Sequence, residues 1–405
     1  MTNNNSFVPQ IRFKGFVDDW TQRKFSEIAR RVSEQSNASN LPKVEFEDII
    51  SDEGRLNKDI SQKFDNRKGI AFEPNHILYG KLRPYLKNWL FADFKGIALG
   101  DFWVFEAIKS SPAFNYYLIQ GEKYQEVANL STGTKMPRSD WKLVSETEFL
   151  IPFDIAEQTA IGSFFRNLDD IIHATQRKVA GMKQLKAAYL QQMFPQAGEC
   201  VPRVRFEGFS DVWETRRLED VVEKLKSYSL SRDVETEDAT GYRYIHYGDI
   251  HKQVADIITD DAQLPRIKEG DYIPLRKDDL VLADASEDYI GIAEPCVILH
   301  EPKEKIIAGL HTIAIRPINT NPLFLYYLFH TDGFRKFGGF VGTGLKVFGI
   351  TFTNLSKYEM GLPSLAEQTA VGRFFHNIDI QIAVQSEKLE KLKRIKSAYL
   401  QKMFI

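Results

Sequence analysis

Cations and an aromatic side chain alternate in the stretch Lys81–Lys87, whose sequence is KLRPYLK. Lysine and arginine side chains supply most protein contacts to phosphate, and tyrosine can contribute to them. This composition is typical of a loop that meets the phosphates or base edges of a nucleic acid. An ordinary solvated loop explains the stretch equally well when it is considered alone.

The stretch that matches it later in the chain, 284–289, is acidic and has the sequence DASEDY. Carboxylates accept hydrogen bonds from cytosine N4, whereas lysine and arginine favour guanine O6 and N7. The difference between the two stretches is therefore consistent with two different sequence preferences.

A polar loop also occurs twice, as STGTK over Ser131–Lys135 and as GTGLK over Gly342–Lys346. Because both copies keep the Thr-Gly-x-Lys pattern, they suit phosphate positioning better than base recognition. A plain turn is an equally good interpretation. The residues predicted to contact nucleic acid are Lys81, Arg83, Tyr85, Lys87, Thr132, Lys135, Arg138, Asp284, Glu287, Tyr289, Thr343 and Lys346.

Two motifs resemble parts of S-adenosylmethionine-dependent methyltransferases. Phe340–Gly344 has the form of their FxGxG loop, and Asn321–Phe324 has the sequence NPLF, close to their NPPF tetrapeptide. Leu323 replaces the second proline, however, and about 20 residues between the motifs are too few for the sheet that such an enzyme builds around its cofactor. The motifs therefore do not predict a methyltransferase site.

Other chemistry is equally unsupported by the sequence. No GxxxxGK[ST] motif is present, which argues against an NTP-driven motor on this chain. His246 and His251 lie five positions apart without further His or Cys ligands nearby, which favours scattered surface histidines over a metal site. We therefore predict no catalytic residue, no metal and no cofactor on this chain.

The charge balance of 53 Lys and Arg against 55 Asp and Glu gives a net charge of −2. A nucleic-acid-binding protein with this balance must place its cations locally or rely on a partner. The two cysteines suit a reducing cytoplasm, and neither a secretory signal nor a long apolar run is present. These features predict a cytoplasmic protein without a membrane span.

A long amphipathic helix is predicted twice, over Glu157–Phe194 and Glu367–Phe404 (367 − 157 = 210 residues apart). Apolar residues recur at steps of four and three, which places them on one face. Each helix would be roughly 57 Å long and would most readily bury this seam against its duplicate, with the polar residues Thr175 and Gln385 fixing the register. The residues predicted to pack are Ile161, Phe165, Leu168, Ile172, Leu185, Tyr189, Val371, Phe375, Ile378, Ile382, Ile395 and Tyr399.

The repeat extends to the segments that precede the helices. Val8–Trp20 and Val201–Trp213 share the pattern RFxGFxxxW, and a body of differing sequence follows each. Strands are predicted in the first body, including one at 102–105 that alternates around Trp103, and helices are predicted to begin at Ser111-Pro112 and Asn321-Pro322. A duplicated domain explains this plan. The differing bodies suggest either two modules that perform the same task on different targets or sequence drift after duplication.

These features resemble the specificity subunit of type I restriction-modification systems over essentially the whole chain. The most specific elements are the RFxGFxxxW openings, the helix starts Pro152–Gln158 and Pro363–Gln368, and the AYLQxMF helix ends. The resemblance implies an α/β (α+β) fold with two target recognition domains (1–152 and 196–362). Two long antiparallel spacer helices (153–195 and 363–405) and a pseudo-two-fold repeat complete it.

The resemblance also implies the partners. They are double-stranded DNA with a bipartite target, two adenine-methylating subunits and the restriction subunits, with S-adenosylmethionine, ATP and Mg on those subunits. The chain itself would be non-catalytic. A coiled-coil scaffold that does not recognise DNA, or a stand-alone DNA-binding protein, remains the alternative.

Overall fold

The structure is a computed structural model that describes residues 8–130, 135–196, 198–260, 263–288, 291–344 and 348–404. The chain divides into two compact units. Unit 1 contains the residues up to Arg177 together with those from Ser386 onward, and unit 2 contains Lys178–Gln385. Each long helix therefore contributes its first part to one unit and its last part to the other.

The elements of the first half of the chain form a mixed α/β body followed by a long helix. Its strands are β1 (Thr21–Lys24), β2 (Ala29–Val32), β3 (Gln35–Ser36), β4 (Lys43–Val44), β5 (Ile49–Ile50), β6 (Arg55–Leu56), β7 (Gly69–Phe72), β8 (Ile77–Gly80), β9 (Trp89–Phe91), β10 (Gly96–Ala98), β11 (Phe102–Ala107) and β12 (Glu148–Ile151). Its helices are α1 (Phe25–Ile28), α2 (Pro112–Leu118), α3 (Glu122–Ala128), α4 (Trp141–Glu146) and α5 (Ile155–Gln192).

The second half repeats this plan with a longer body. Its strands are β13 (Glu214–Arg217), β14 (Val222–Lys224), β15 (Tyr242–Ile245), β16 (Ile257–Ile258), β17 (Leu280–Ala283), β18 (Ala285–Ser286), β19 (Pro295–Ile298), β20 (Lys305–Ala308), β21 (Thr312–Pro317), β22 (Phe348–Gly349) and β23 (Glu359–Leu362). Its helices are α6 (Tyr247–His251), α7 (Pro322–Phe329), α8 (Asp332–Val341), α9 (Phe352–Leu355) and α10 (Leu365–Met403). Among the described residues, no helix combines the length and the apolar character that a bilayer crossing requires.

Strand β11 is central to the body of unit 1, where it lies antiparallel between β2 and β8. Trp103 and Phe105 pack into a core with helices α2, α3 and α4, whereas Phe102 and Val104 pack into a second core with β4, β7 and β10. The sequence suggested simple alternation around Trp103, but all four residues are buried because both faces of the strand are covered.

Unit 2 uses the same design around β21, which lies antiparallel between β14 and β17 in a five-stranded sheet. Ile313 and Ile315 face one core with α7, and Ala314 faces another with β19 and β20. Strands β15 and β20 form a separate parallel pair. Both units thus have a central antiparallel strand, β11 or β21, and loops connect the ends of this strand to its neighbours.

The start of each long helix is anchored by a buried ion pair. Glu157 is 1% exposed, and its carboxylate accepts hydrogen bonds from Arg12 Nε (2.6 Å) and Arg12 Nη2 (2.7 Å). Glu367 binds Arg205 in unit 2 with the same two distances. The pairing explains why the RFxGF opening and the Glu-Gln helix start occur together, since a buried carboxylate is tolerated only when it is paired and hydrogen-bonded.

The glutamine that follows connects the helix start to the body. The side chain of Gln158 donates to Pro152 O (2.8 Å) and accepts from Ser111 N (2.8 Å), and Gln368 forms the same bonds with Pro363 O and Asn321 N. Helix α2 begins at Pro112 as predicted, but the Ser111 side chain does not cap it. Gln158 instead binds the Ser111 N–H.

Within each unit, a segment of α5 runs antiparallel to a segment of α10. In unit 1, Phe164 packs against Tyr399 (5.0 Å) and Asp169 binds Lys396 (2.7 Å). In unit 2, Tyr189 packs against Phe374 (5.1 Å) and Lys186 binds Asp379 (2.6 Å). The end of the opposite helix also enters each core, because Phe404 contacts Phe114 in unit 1 and Phe194 contacts Phe324 in unit 2, both at 5.3 Å.

Each aspartate of these pairs also accepts a hydrogen bond from a tyrosine of the body. Tyr117 Oη donates to Asp169 (2.8 Å), and Tyr327 Oη donates to Asp379 (2.7 Å). Burial and the neighbouring carboxylate raise the pKa of both tyrosines, so their hydroxyls stay protonated and remain donors. Body, first helix segment and second helix segment are thus joined at one carboxylate in each unit.

The predicted seam residues differ in burial. Ile161, Phe165, Leu168, Ile172, Val371 and Phe375 are buried, and Tyr189, Ile378, Ile382, Ile395 and Tyr399 are half-buried. Leu185 departs from the prediction, since its side chain is 49% exposed. The adjacent Lys186 faces Asp379 instead, because a 3.6-residue helix drifts away from a strict 3.5-residue pattern. Thr175 is buried, but its hydroxyl donates to Ile171 O within its own helix.

We predict that Arg12→Met lowers the free energy of unfolding by about 3–5 kcal/mol, because it leaves the buried Glu157 carboxylate unpaired. Arg205→Met should have the same effect through Glu367. Urea unfolding followed by circular dichroism measures both. Arg30→Met is the matched control, since the Arg30–Glu106 pair is exposed and should contribute only about 0–1 kcal/mol. Equal losses for Arg12 and Arg30 would contradict this interpretation.

Candidate nucleic-acid interface

The stretch 81–87 begins where β8 ends. Arg83 and Lys87 adopt left-handed backbone conformations (φ 49° and 53°) on either side of the 3₁₀ turn Pro84–Leu86. Residues other than glycine seldom adopt this conformation, and the surrounding structure must hold them in it. Here the Arg83 N–H donates to Pro137 O at 2.7 Å. The turn is therefore fixed, and it presents Tyr85 with 56% of its side chain exposed.

The loop that follows α3 is joined to this stretch. Ser139 N donates to Lys81 O (2.9 Å), and Leu82 forms a β-bridge with Arg138. The two sequence stretches predicted to contact nucleic acid in the first half of the chain thus lie side by side. The structure brings together residues that are more than 50 positions apart in the sequence.

A carboxylate that the sequence patterns did not reveal lies between the two loops. Asp101 Oδ2 accepts from Arg138 Nη2 (2.9 Å), and Asp101 Oδ1 lies 3.7 Å from Lys81 Nζ. Its backbone O also accepts from Lys81 N at 2.9 Å. We name Lys81, Asp101 and Arg138 the first edge site. Asp101 directly precedes the central strand β11, and that position is the signal by which it could have been found.

The other predicted residues of unit 1 surround this site. Lys87 Nζ pairs with Asp52 (3.1 Å), and Lys135 is exposed and forms no ion pair within the described part of the chain. The Arg83 Nε is buried without a hydrogen-bond partner there, and Thr132 lies outside the described residues. Lys87, Lys135 and the exposed Tyr85 ring therefore lie on the two loops that carry this site. In a nucleic-acid interface, the lysines would contact phosphates and the ring would stack on a base.

Unit 2 places its predicted residues on an equivalent surface. Asp284 follows β17, and strand β18 pairs with β22 next to the Thr343–Gly349 bridge, where both residues donate to each other (2.9 and 2.8 Å). Asp284 and Thr343 thus meet near this pairing, with the exposed Glu287 just beyond β18. Tyr289 and Lys346 lie outside the described residues.

The carboxylate of Asp284 has a partner, His311, that was also not predicted. Its carboxylate lies 3.1 Å from His311 Nδ1, and its N–H donates to His311 O at 3.0 Å. Burial raises the pKa of the Asp284 carboxyl, and the nearby His311 opposes this shift without reversing it. Ile350 N donates to Asp284 O at 2.8 Å. We name Asp284, His311 and Gly349 the second edge site.

The two edge sites are built on one backbone pattern. Lys81 and Asp284 occupy the same position, because each donates to the residue before the central strand, Asp101 or His311. Each also accepts from the loop that leads to a short capped helix, through Ser139 in unit 1 and Ile350 in unit 2. The scaffold is therefore shared, and the side chains on it differ.

The motifs that resembled enzyme sites have structural roles. Phe340 and Val341 belong to helix α8 rather than to a glycine loop. His246 caps α6 by accepting from Gly248 N, and His251 bonds to Ala285 O. Within the described ranges, no three His, Cys, Asp or Glu side chains are arranged to hold a metal ion.

Known proteins resemble this chain in sequence and in fold. Residues 210–394 match the sequence profile of the type I restriction modification DNA specificity domain. A curated relative from Methanocaldococcus jannaschii, named as the type I restriction enzyme MjaX specificity subunit, is 26% identical over 203 residues. That alignment covers 47% of this chain and 45% of the relative, so the chain matches about half of the relative's length.

Two solved structures resemble nearly the whole chain. The S subunit of a type I restriction-modification system from M. genitalium aligns with a TM-score of 0.61 at 13% identity, over 98% of this chain and 99% of that one. A chain from a structural study of assembly and conformational transition of the type I R-M system aligns with a TM-score of 0.53 at 19% identity, over 94% and 96%. At these identities the likeness concerns the fold.

The chain has two α/β bodies, each with one edge site, and two long helices. Its second body and part of its second long helix match the type I restriction modification DNA specificity domain, and the fold of nearly the whole chain resembles that of a type I S subunit.

We predict that Lys135→Ala weakens binding to all duplex DNA sequences alike and lowers the slope of log affinity against log salt by about one unit. The reason is the exposed ammonium, which forms no ion pair with the described residues and lies on the loop that carries Arg138 of the first edge site. Titration at several salt concentrations measures the slope. Lys109→Ala is the control, since Lys109 is exposed beyond the opposite end of β11. An altered base preference with an unchanged slope would show that Lys135 does not contact phosphate.

Proposed function

We propose that the chain is the non-catalytic subunit that recognises a bipartite DNA sequence for a type I restriction-modification complex. The observation that carries this proposal is the duplication of the edge site. Two bodies share one backbone pattern at the end of the central sheet but carry different side chains there. A protein that recognises two different half-sites needs such an arrangement, because hydrogen bonds to base edges specify sequence while the scaffold stays constant.

The predicted surface residues divide by chemistry. Lys87, Lys135 and, in unit 2, Lys346 would contact phosphate, whereas the edge sites would face bases. Tyr85 is exposed beside these cations and would contact either the backbone or a base. Because the net charge of the chain is −2, partner subunits would supply a share of the phosphate contacts.

The partners follow from the family. Two adenine-methylating subunits would bind this chain, and restriction subunits would join them, with S-adenosylmethionine, ATP and Mg held by those subunits. The matched relative is named as a specificity subunit, and one of the similar solved chains comes from work on complex assembly of the type I R-M system. Both support a role within a larger complex.

We predict that the purified chain alone neither methylates nor cleaves duplex DNA, and that addition of the methylating subunits produces adenine methylation at one split motif. Radiolabelled methyl transfer and sequencing of modified adenines measure this. A complex that assembles but shows no sequence preference would favour the alternative of a coiled-coil scaffold. Methyl transfer by rigorously partner-free protein would contradict the non-catalytic role.

We predict that replacing the body Trp213–Leu362 by the equivalent body of a relative changes only one half of the methylated motif. The physical reason is that the openings and the long helices, which carry the shared anchors, remain untouched. The reciprocal exchange of Trp20–Ile151 is the matched control and should change the other half. Loss of both halves in an assembled chimera would show that the bodies do not recognise DNA independently.

A further inference from the structure

The two edge sites carry opposite charges at their first position. In unit 1 the cation stands on the first position (Lys81) and the carboxylate on the second (Asp101). In unit 2 the carboxylate stands on the first position (Asp284) and a histidine on the second (His311). The backbone bonds between the two positions are the same, at 2.9 and 3.0 Å. The first position therefore carries a cation in unit 1 and a carboxylate in unit 2, on a preserved scaffold.

The third position reinforces this difference. In unit 1 it is Arg138, whose Nε and Nη2 both donate to Asp101 Oδ2 (3.3 and 2.9 Å). Its Nη1 forms no hydrogen bond with the described residues, and more than half of the side chain is exposed. In unit 2 the third position is Gly349, which has no side chain. Donors therefore dominate the first edge site, and an acceptor dominates the second.

Aromatic side chains surround the second edge site. The Tyr247 ring contacts the His311 ring edge-on at 5.3 Å and the His251 ring at 5.9 Å. His251 Nε2 also bonds to Ala285 O, next to Asp284 (2.8 Å). His311 has a left-handed backbone (φ 55°) and a half-exposed side chain. A strained and exposed residue held by its neighbours is a common feature of a functional position.

We propose that the side chains of the two edge sites, donors in unit 1 and an acceptor in unit 2, determine the base that each unit selects. The first edge site would donate to guanine O6 and N7 through Arg138, which Asp101 holds in place. The second would accept from the exocyclic amino group of cytosine or adenine through Asp284, which His311 holds in place. This inference rests on the proposed function and identifies the specificity-determining positions within it.

The chemistry of the major groove supports this assignment. Guanine presents two acceptors there, which match a guanidinium, and cytosine N4 or adenine N6 presents a donor, which matches a carboxylate. One oxygen of Asp284 faces His311, and the other has no hydrogen-bond partner within the described ranges. The free oxygen is therefore available to a base, while the occupied oxygen fixes the orientation of the carboxylate.

The test uses the full chain assembled with its methylating subunits and a library of randomised duplex DNA. The double variant Asp284→Lys with His311→Asp transfers the polarity of the first edge site to unit 2. The single variant Asp284→Asn keeps the shape but removes the charge. Glu269→Lys is the control, because Glu269 is exposed in another loop of the same unit and its change raises the net charge by more than either test variant does.

The double variant adds no counterpart of Arg138, so it should abolish the preference for an amino-bearing base at one base pair of the second half-site and leave the first half-site intact. Asp284→Asn should lower discrimination at the same base pair by about 10-fold, within the range of a single specific base contact. Glu269→Lys should change neither half. Recognition of the first half-site in the same experiment shows that each variant is folded and assembled.

An unchanged second half-site in both Asp284 variants, with the first half still recognised, would overturn this inference and leave the proposed function standing. A shift in the first half-site would overturn it equally. Absence of any sequence preference in the unmodified complex would overturn the proposed function and the inference together. The two failures are thus distinguishable.

Discussion

In each unit, one carboxylate joins the body to both long helices, and it is buried in unit 1 and half-buried in unit 2. Asp169 accepts from Tyr117 of the body and pairs with Lys396 from the far end of α10, and Asp379 does the same with Tyr327 and Lys186. Such a network is favourable only when every member is present, because a buried charge that loses its partner is costly. The rest of the architecture depends on this condition, since it holds the helix segments against the body whose edge carries the loops.

The helix anchors and the edge sites are under different physical constraints. Arg12–Glu157 and Gln158 are buried, and their counterparts in unit 2 keep the same distances, because a buried polar group has few acceptable replacements. The edge sites are partly exposed, where a change of charge has a small effect on stability. The same duplicated scaffold can therefore carry Lys81 in one unit and Asp284 in the other.

Much of this arrangement could be predicted from the sequence. The long helices, their repeat and the two pairs of loops follow from apolar spacing and from motifs that occur twice. The sequence patterns missed Asp101 and His311, because their positions beside Lys81 and Asp284 depend on long-range pairing of β8 with β11 and of β17 with β21. Leu185 departs from the prediction for another reason. A 3.6-residue helix drifts away from the predicted 3.5-residue pattern, so that Lys186 rather than Leu185 faces Asp379.

The sharing of helices between the units has a consequence for synthesis on the ribosome. The core of unit 1 contains Met403 and Phe404, although the body of that unit ends about 250 residues earlier in the chain. Its aromatic residues Phe114 and Phe165 therefore lack part of their packing while the second body is being translated. Unit 2, whose residues are contiguous from Lys178 to Gln385, can complete its core first. Chains that stop before Met403 would therefore leave the apolar residues of unit 1 that pack against Met403 and Phe404 exposed.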